Sequence, residues 1–442
     1  MLKYFQKDSR RIIKNMKKAF VFLCASLFVT SAVVLTGCNP TTDDGSTAAV
    51  VEKASKMTLA ELEAASKAEM EASDSTFKVV GLTSTLAKAM VKFCETYDWM
   101  ELDVNTYVNN SYKDYALLTA LEQADTSYFA DFALVQDARS LADYLEAGIT
   151  VNYVPSDYEE LNLPEENTYP LKGLYFNKIF FSNERLGVDL NNIWQLAGSP
   201  EDANHLDNVS FQSPITEQIN MSFILSLYDE ANQERLETAY ENYYGTAWVA
   251  TEDYESCGDQ FVNEFVANIS RWHSSDGTAM KKTQYEETAQ EGVDPFVYYG
   301  AFAKMKDAAG AAYGEENAMV TVDWDKEIDG FNGFMYAMYS QIVKNAEHPY
   351  TACLYARFLL TPESYEAMCY NSSTPNSLGE PANMYGYYYP CTSTTVGIND
   401  NDWSKEEWIE KSINEDFNYL STVKGARINE ILALVSSNTK AS

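Results

Sequence analysis

The 442-residue sequence has no Gly-x-Ser-x-Gly elbow, no Gly-x4-Gly-Lys-Ser/Thr loop, no Gly-x-Gly-x-x-Gly and no His-Glu-x-x-His. Their absence removes the sequence signatures of serine hydrolases, P-loop enzymes, dinucleotide binders and zinc proteases. Histidine is scarce: His205, His273 and His348 are the full set, with no close pair. Isolated histidines like these read as surface or structural residues rather than ligands or bases. No Cys-x-x-Cys spacing occurs among the seven cysteines, so zinc-ribbon and thioredoxin-like chemistry is unsupported. Basic residues are few as well, 32 Lys and Arg against 65 Asp and Glu, a formal net charge of −33. A chain without a basic footprint is not a nucleic-acid binder. Hydrophobic residues at 46% and aromatic ones at 13% exclude a disordered acidic chain and predict a packed core.

Segments long and apolar enough to span a bilayer are missing too, with one exception. Residues 1–37 hold seven basic residues and a single acid, Asp8, and the stretch from Ala19 to Gly37 is uncharged. A basic segment, an apolar run and small residues before a cysteine make a secretory signal. Without residues 1–37 the chain keeps 25 basic and 64 acidic residues, a net charge of −39. The run Ala19 to Leu35 is marginal in length for a membrane anchor, the alternative reading. Leu35-Thr36-Gly37-Cys38 decides between them, because it resembles a bacterial lipobox, in which the signal is cut before the cysteine and the cysteine is acylated. Met16 ahead of Lys17-Lys18 is a natural signal start, so the translation start is either Met1 or Met16. The remainder is expected outside the cytoplasm, on the cell surface or in a periplasm. Cys94, Cys257, Cys353, Cys369 and Cys391 remain there, an odd number whose pairing sequence does not fix; Cys369–Cys391 and Cys353–Cys369 are nearest in sequence.

Residues 39–50 are small and polar and read as a flexible tether. Thr58-Leu59-Ala60-Glu61 has capping-box form and opens a helix to about Ser73. Strand and helix then alternate. Phe77–Val80 is a strand, and Leu86, Met90, Phe93 and Tyr97 form one helical stripe. Leu102, Val104 and Thr106 alternate as a strand, residues 115–124 are helical, Phe132–Val135 is a buried strand, and the next helix carries Leu141, Tyr144 and Leu145 to Gly148. Three such units predict a doubly wound parallel α/β sheet, with ligands beyond the strands' carboxyl ends. That edge holds Thr83, Ser84, Thr85, Gln136 and Asp137. Residues 171–181 are an apolar crossover strand, and a second block follows with helices on Ile215/Ile219/Phe223/Leu227, Leu236/Tyr240/Tyr243/Tyr244 and Phe261/Phe265/Ile269. Val320-Thr321-Val322 is a strand, proline opens helices at Pro349 and Pro362, and Ser404–Glu407 caps a last long acidic helix.

Carboxylates are everywhere, and no pair stands out as a hydrolytic acid–base couple. Asp325-Lys326-Glu327-Ile328-Asp329-Gly330 copies the start of a calcium loop, but its twelfth position is Tyr336 and not glutamate, so it reads as a turn. Tyrosine is abundant, 31 residues with several adjacent. Such rings either pack at core edges or clasp sugars, amines and cations. Tyr243-Tyr244 reads as packing and Tyr298-Tyr299 as a candidate cleft pair.

In order along the chain stand the lipobox, the Thr-x-x-Glu-Leu helix, a strand running into Gly81-Leu82-Thr83-Ser84-Thr85, Asp131–Asp137 and Leu174-Tyr175-Phe176-Asn177. Asn192–Leu196, Val209–Pro214, Asn345–Ala352 and Phe358–Glu363 follow. Together they resemble the extracellular solute-binding proteins of ABC importers, in the branch with ferric-iron, thiamine and polyamine binders. The resemblance spans about residues 58–370 and implies a type II periplasmic-binding-protein fold, two α/β lobes joined by two crossovers that close on a ligand. Its domain reading is a signal at 1–37, a lipidated Cys38 and tether at 38–57, lobe 1 at 58–173, lobe 2 at 174–325, and a return to lobe 1 with C-terminal helices at 326–442. Carried onto matching positions, Thr83, Ser84 and Thr85 would face the ligand from lobe 1 and Ser213, Ile215 and Thr216 from lobe 2. Implied partners are a small solute or metal ion, the permease subunits, and the membrane through the lipid on Cys38. A monomer without cofactor, resident metal or catalytic residue is expected. A lipid-anchored surface enzyme using a carboxylate pair, and an adhesion or structural lipoprotein, are the rival readings.

Overall fold

The computed structural model describes residues 45–438 except 82, 84, 103, 110–118, 122–126, 183–188, 203, 207–208, 276–296, 302–326, 376–380, 384–387, 393–403 and 424. Cys38, most of the expected helix over 115–124 and the expected strand Val320–Val322 lie outside these residues.

Helix α1 (Thr47–Ala54) is capped by Ser46 and buries Val51 and Ala54. The expected tether over 38–57 is therefore folded from residue 47, because these apolar side chains have a core to enter. In α2 (Leu59–Ala72) the capping box forms as expected: Thr58 Oγ1 accepts from Glu61 N and Glu61 Oε2 accepts from Thr58 N. Strands β1 (Phe77–Gly81), β2 (Thr106–Asn109) and β3 (Phe132–Val135) are parallel in the order β2-β1-β3, with α3 (Thr85–Thr96) following β1 and α4 (Ala138–Glu146) following β3. The strand placed over 102–106 begins only at Thr106, since Asn105 N bonds Glu101 O in a turn ahead of it.

After the short β4 (Thr150–Val151), the eleven-residue β5 (Lys172–Ser182) crosses into a second α/β half. That half contains β6 (Val209–Gln212), α5 (Gln218–Ser226), α6 (Glu230–Tyr244), α7 (Cys257–Asn268), β7 (Ile269–His273) and β8 (Val297–Ala301). Strands β8, β6 and β7 are parallel, and β5 is antiparallel to β8. The chain returns along β9 (Gly333–Val343), eleven buried residues antiparallel to both β5 and β3. The calcium-like stretch ends in a turn, with Gly330 at φ +98°, and Tyr336 lies inside β9. At Gly333 a Cβ would fall 2.1 Å from the Lys178 carbonyl oxygen, so only glycine lets β9 lie this close to β5.

Helices α8 (Pro349–Phe358) and α9 (Pro362–Cys369) cover the first half. A small sheet of β10 (Tyr370–Pro375) and β11 (Pro381–Asn383) follows, and β12 (Tyr388–Pro390) pairs with β5. The last acidic helix is short, α10 (Lys405–Lys411), because the chain then enters β13 (Ser412–Asn414) beside β9. Helices α11 (Phe417–Thr422) and α12 (Ala426–Ser437) end the described chain. One sheet of eleven strands thus runs β2-β1-β3-β9-β5-β8-β6-β7, with β4, β12 and β13 at its sides. The two crossover strands merge what would otherwise be separate sheets. Cys94, Cys257, Cys353 and Cys391 are thiols, so neither Cys369–Cys391 nor Cys353–Cys369 forms in this structure.

Candidate functional site

Gly81 and Val135 end β1 and β3 at one sheet edge, and Gln212 and His273 end β6 and β7 at another. Strand β9 starts beside Ile179 in the second half and passes Val135 at Tyr339 in the first. Ligands of such sheets sit beyond the carboxyl ends of the strands, so the candidate cleft lies where these edges meet over the crossover strands. At its back Phe176 stacks on Tyr336 with ring centroids 5.8 Å apart, and Tyr336 stacks on Phe334.

From the first half, Thr83 and Thr85 turn the chain into α3, their hydroxyls 2.9 Å apart. Ser84 lies outside the described residues. Gln136 and Asp137 follow β3 and are both buried. Asp137 caps α4: its carboxylate accepts from Arg139 N at 3.2 Å and Ser140 Oγ at 2.5 Å, and pairs with Arg139 Nη2 at 3.4 Å. That guanidinium also reaches across, donating to Gln218 Oε1 on α5 at 2.8 Å. Ser222 Oγ makes a long contact to Asp137 at 3.5 Å from the same helix. The starts of α4 and α5 therefore touch through polar side chains.

From the second half, Ser213 N donates to the His273 carbonyl, and the Ser213 carbonyl accepts from Thr216 N and Glu217 N. This turn delays the helix to Gln218, leaving Ile215 51% exposed and Thr216 on the surface. Below it, buried Lys178 donates to Asn220 Oδ1 at 2.8 Å, and Asn220 Nδ2 donates to the Gln212 carbonyl. The amide of Asn177, buried beside Lys178 on β5, makes no hydrogen bond among the described residues.

Tyr299 corrects an expectation. It is fully buried, with its ring stacked on Phe211 (4.8 Å, 8°) and Phe223 (4.7 Å, 20°). It belongs to the aromatic core of the second half rather than to the cleft surface. Tyr298 lies in β8 opposite Phe181, with its side chain outside the described residues. Among the described residues no group of His, Cys, Asp and Glu is placed to hold a metal ion, and no helix is long and apolar enough to cross a membrane.

Glu415 was not foreseen. On one edge of β9, β13 pairs up to Met335 and β3 begins at Tyr339, leaving Ala337 between two strands. Ala337 N donates to Glu415 Oε2 at 3.2 Å, and the Tyr339 hydroxyl donates to the same oxygen at 2.7 Å. Burial pushes the Glu415 carboxyl up to about 8; the two hydrogen bonds and Lys172 pull the other way, and Asp137 adds to the rise. Arg139, Gln218, Ser222 and Lys178 also escaped sequence reading. Only Asn177-Lys178 left a signal, two polar residues inside the apolar run Leu174–Phe181.

No family model matches the sequence, and no curated protein matches it. Solved structures do. Iron-bound HitA from Pseudomonas aeruginosa is 12% identical with a TM-score of 0.51, covering 83% of this chain and 99% of its own. A periplasmic thiamin-binding protein is 13% identical with a TM-score of 0.53, covering 81% and 96%. MotA from A. tumefaciens B6, in complex with glucopine, is 12% identical with a TM-score of 0.53, covering 81% and 99%. The shared feature is the fold: an α/β chain of the type II periplasmic-binding-protein class.

Proposed function

We propose that this chain is the solute-binding lipoprotein of an ABC importer, capturing a small solute between its two halves and handing it to the permease. The supporting observation is the whole-length fold likeness to binding proteins, which covers 96–99% of those chains. The geometry agrees with it: two α/β halves meet at strand carboxyl ends over two crossover strands, with polar side chains in the seam. Function is then a closure that ligand contacts favour, with no catalytic step. The signal at 1–37 directs export, and acylation of Cys38 holds a monomer at the outer face of a membrane through a tether ending near residue 46. Thr83, Ser84, Thr85, Gln136, Asp137, Ser213, Ile215, Thr216 and Tyr298 remain the candidate ligand contacts; Tyr299 does not. The solute class stays open between ferric iron, a thiamine- or polyamine-like cation, and a sugar.

The test is a melting-temperature screen of purified protein against ferric citrate, thiamine, spermidine and sugars, followed by small-angle scattering. A ligand at about 100 times its Kd stabilises by about 2.7 kcal/mol, which a melting curve resolves. Compaction with the same compound supports the reading. A panel that raises no melting temperature and compacts nothing, or a compound that is chemically turned over, counts against it.

A further inference from the structure

We infer that a second pocket, at the amino ends of β1 and β2, is a binding site for a small zwitterion with an apolar group, the chemistry of a hydrophobic amino acid. The cavity holds about 500 Å³ and presents Lys78, Glu347, Tyr107, Val104, Tyr128 and Ser75. That volume suits a small molecule. It opens beside Lys78, near the start of β1, whereas the candidate cleft lies past Gly81 at the strand's other end.

The charges carry the argument. Lys78 Nζ lies 5.0 Å from the Phe129 ring centroid and 5.9 Å from that of Tyr107, held over two aromatic faces. Neither Lys78 nor Glu347 makes an ion pair among the described residues, although both line the one cavity. Their backbones hang on one frame. Fully buried Asp131 accepts from Lys78 N at 2.8 Å, Tyr128 Oη at 3.0 Å and Glu347 N at 2.8 Å, so three walls hang from one carboxylate. His348, also bonded to Asp131, reaches Ser75 Oγ at 3.2 Å and fixes a fourth. A lysine held over two rings and a glutamate on the same cavity wall, with no ion pair between them, match a ligand carrying carboxylate and ammonium together. Val104 and Tyr107, 64% and 49% exposed, offer the apolar surface for its side chain.

The experiment is calorimetric titration of the full chain with phenylalanine, with 3-phenylpropionate (no ammonium) and with phenylalaninamide (no carboxylate). Saturable binding of phenylalanine is expected, weakened about ten-fold or more, a change of about 1.4 kcal/mol, in each analogue and in Lys78→Met and Glu347→Gln. Lys78→Met should further weaken 3-phenylpropionate but not the amide, and Glu347→Gln the reverse. Glu347 is exposed and Lys78 half-buried, so unchanged melting temperatures will show that the variants fold. No saturable binding at millimolar phenylalanine, equal affinity for 3-phenylpropionate, or affinity indifferent to both variants would overturn the inference. The last result would place the ligand elsewhere, the cleft included.

Discussion

The carboxylate of Glu415 takes a 2.7 Å hydrogen bond from the Tyr339 hydroxyl, and with it fills the one break on that edge of β9. A side chain there substitutes for a backbone partner, answering the Ala337 N–H where strands from opposite ends of the chain meet. Because burial lifts this carboxyl from the ordinary 4.5 to about 8, the folded chain holds a proton that the unfolded chain has released between those values. The stabilisation is complete below about 4.5 and is lost as pH rises through about 8. Glu415→Gln, which cannot titrate, should lose this dependence. Urea midpoints at about pH 5, 7 and 9 are expected to show wild type falling relative to the variant as pH rises. Parallel curves would mean that Glu415 is ionised throughout.

Asp131 and His348 form the second buried polar centre. Asp131 Oδ1 accepts from Glu347 N and His348 N, and Oδ2 accepts from Lys78 N and Tyr128 Oη and meets His348 Nδ1 at 3.2 Å. Desolvation pulls the imidazole down, but hydrogen bonding and charge from Asp131, with Glu69 and Glu347, outweigh it and leave the net shift upward. Removing the carboxylate strands three backbone donors at once. Asp131→Ala should destabilise the fold by about 3–5 kcal/mol in urea titration, far beyond a surface acid such as Glu146. A loss under about 1 kcal/mol would show that the network is replaceable.

Much of this fold was readable because amphipathic helices and half-buried strands carry their period in the sequence. The capping box at Thr58, the stripe Leu86/Met90/Phe93 and the strand Phe132–Val135 all did. Strand β9 did not. All eleven residues are buried, so no alternation of apolar and polar marks it, and Ser340 and Gln341 sit inside it. The site was readable as loops but not as contacts. Asp137 lies on the expected strand-end loop, whereas its cap of α4 was not read from the sequence, and Arg139 meets Gln218 only because folding brings α4 and α5 together. Ile215 and Thr216 read as the start of a helix because Ile215, Ile219, Phe223 and Leu227 keep a four-residue spacing; the carbonyl of Ser213 binds a turn there instead, and the helix starts at Gln218.

Tyr298 and Tyr299 show how adjacency misleads. Neighbours in a strand point to opposite faces, and Tyr299 takes the core face among Phe180, Phe211 and Phe223. Tyr299→Phe should leave solute affinity within about two-fold, while Tyr299→Ala should destabilise by about 3–5 kcal/mol. A large affinity loss in the Phe variant, with stability intact, would return this residue to the cleft.

Arg139 is the residue through which the seam can be opened without touching the core. It sits on α4 in the first half, is braced by the Asp137 carboxylate, and bonds Gln218 on α5 in the second. Hydrogen bonds to charged groups contribute about 1.5–3 kcal/mol, and this one exists only when the halves are together. Arg139→Ala should therefore favour an open population in the unliganded protein, seen as a larger radius of gyration by small-angle scattering. Gln218→Ala should do the same, and the double variant should add little to either single one, since both remove one bond. Global stability should change less than the opening does, because Asp137 keeps its bonds from Arg139 N and Ser140 Oγ. Equal scattering from all three variants and wild type would show that packing of α4, α5 and α11, rather than this bond, holds the halves together.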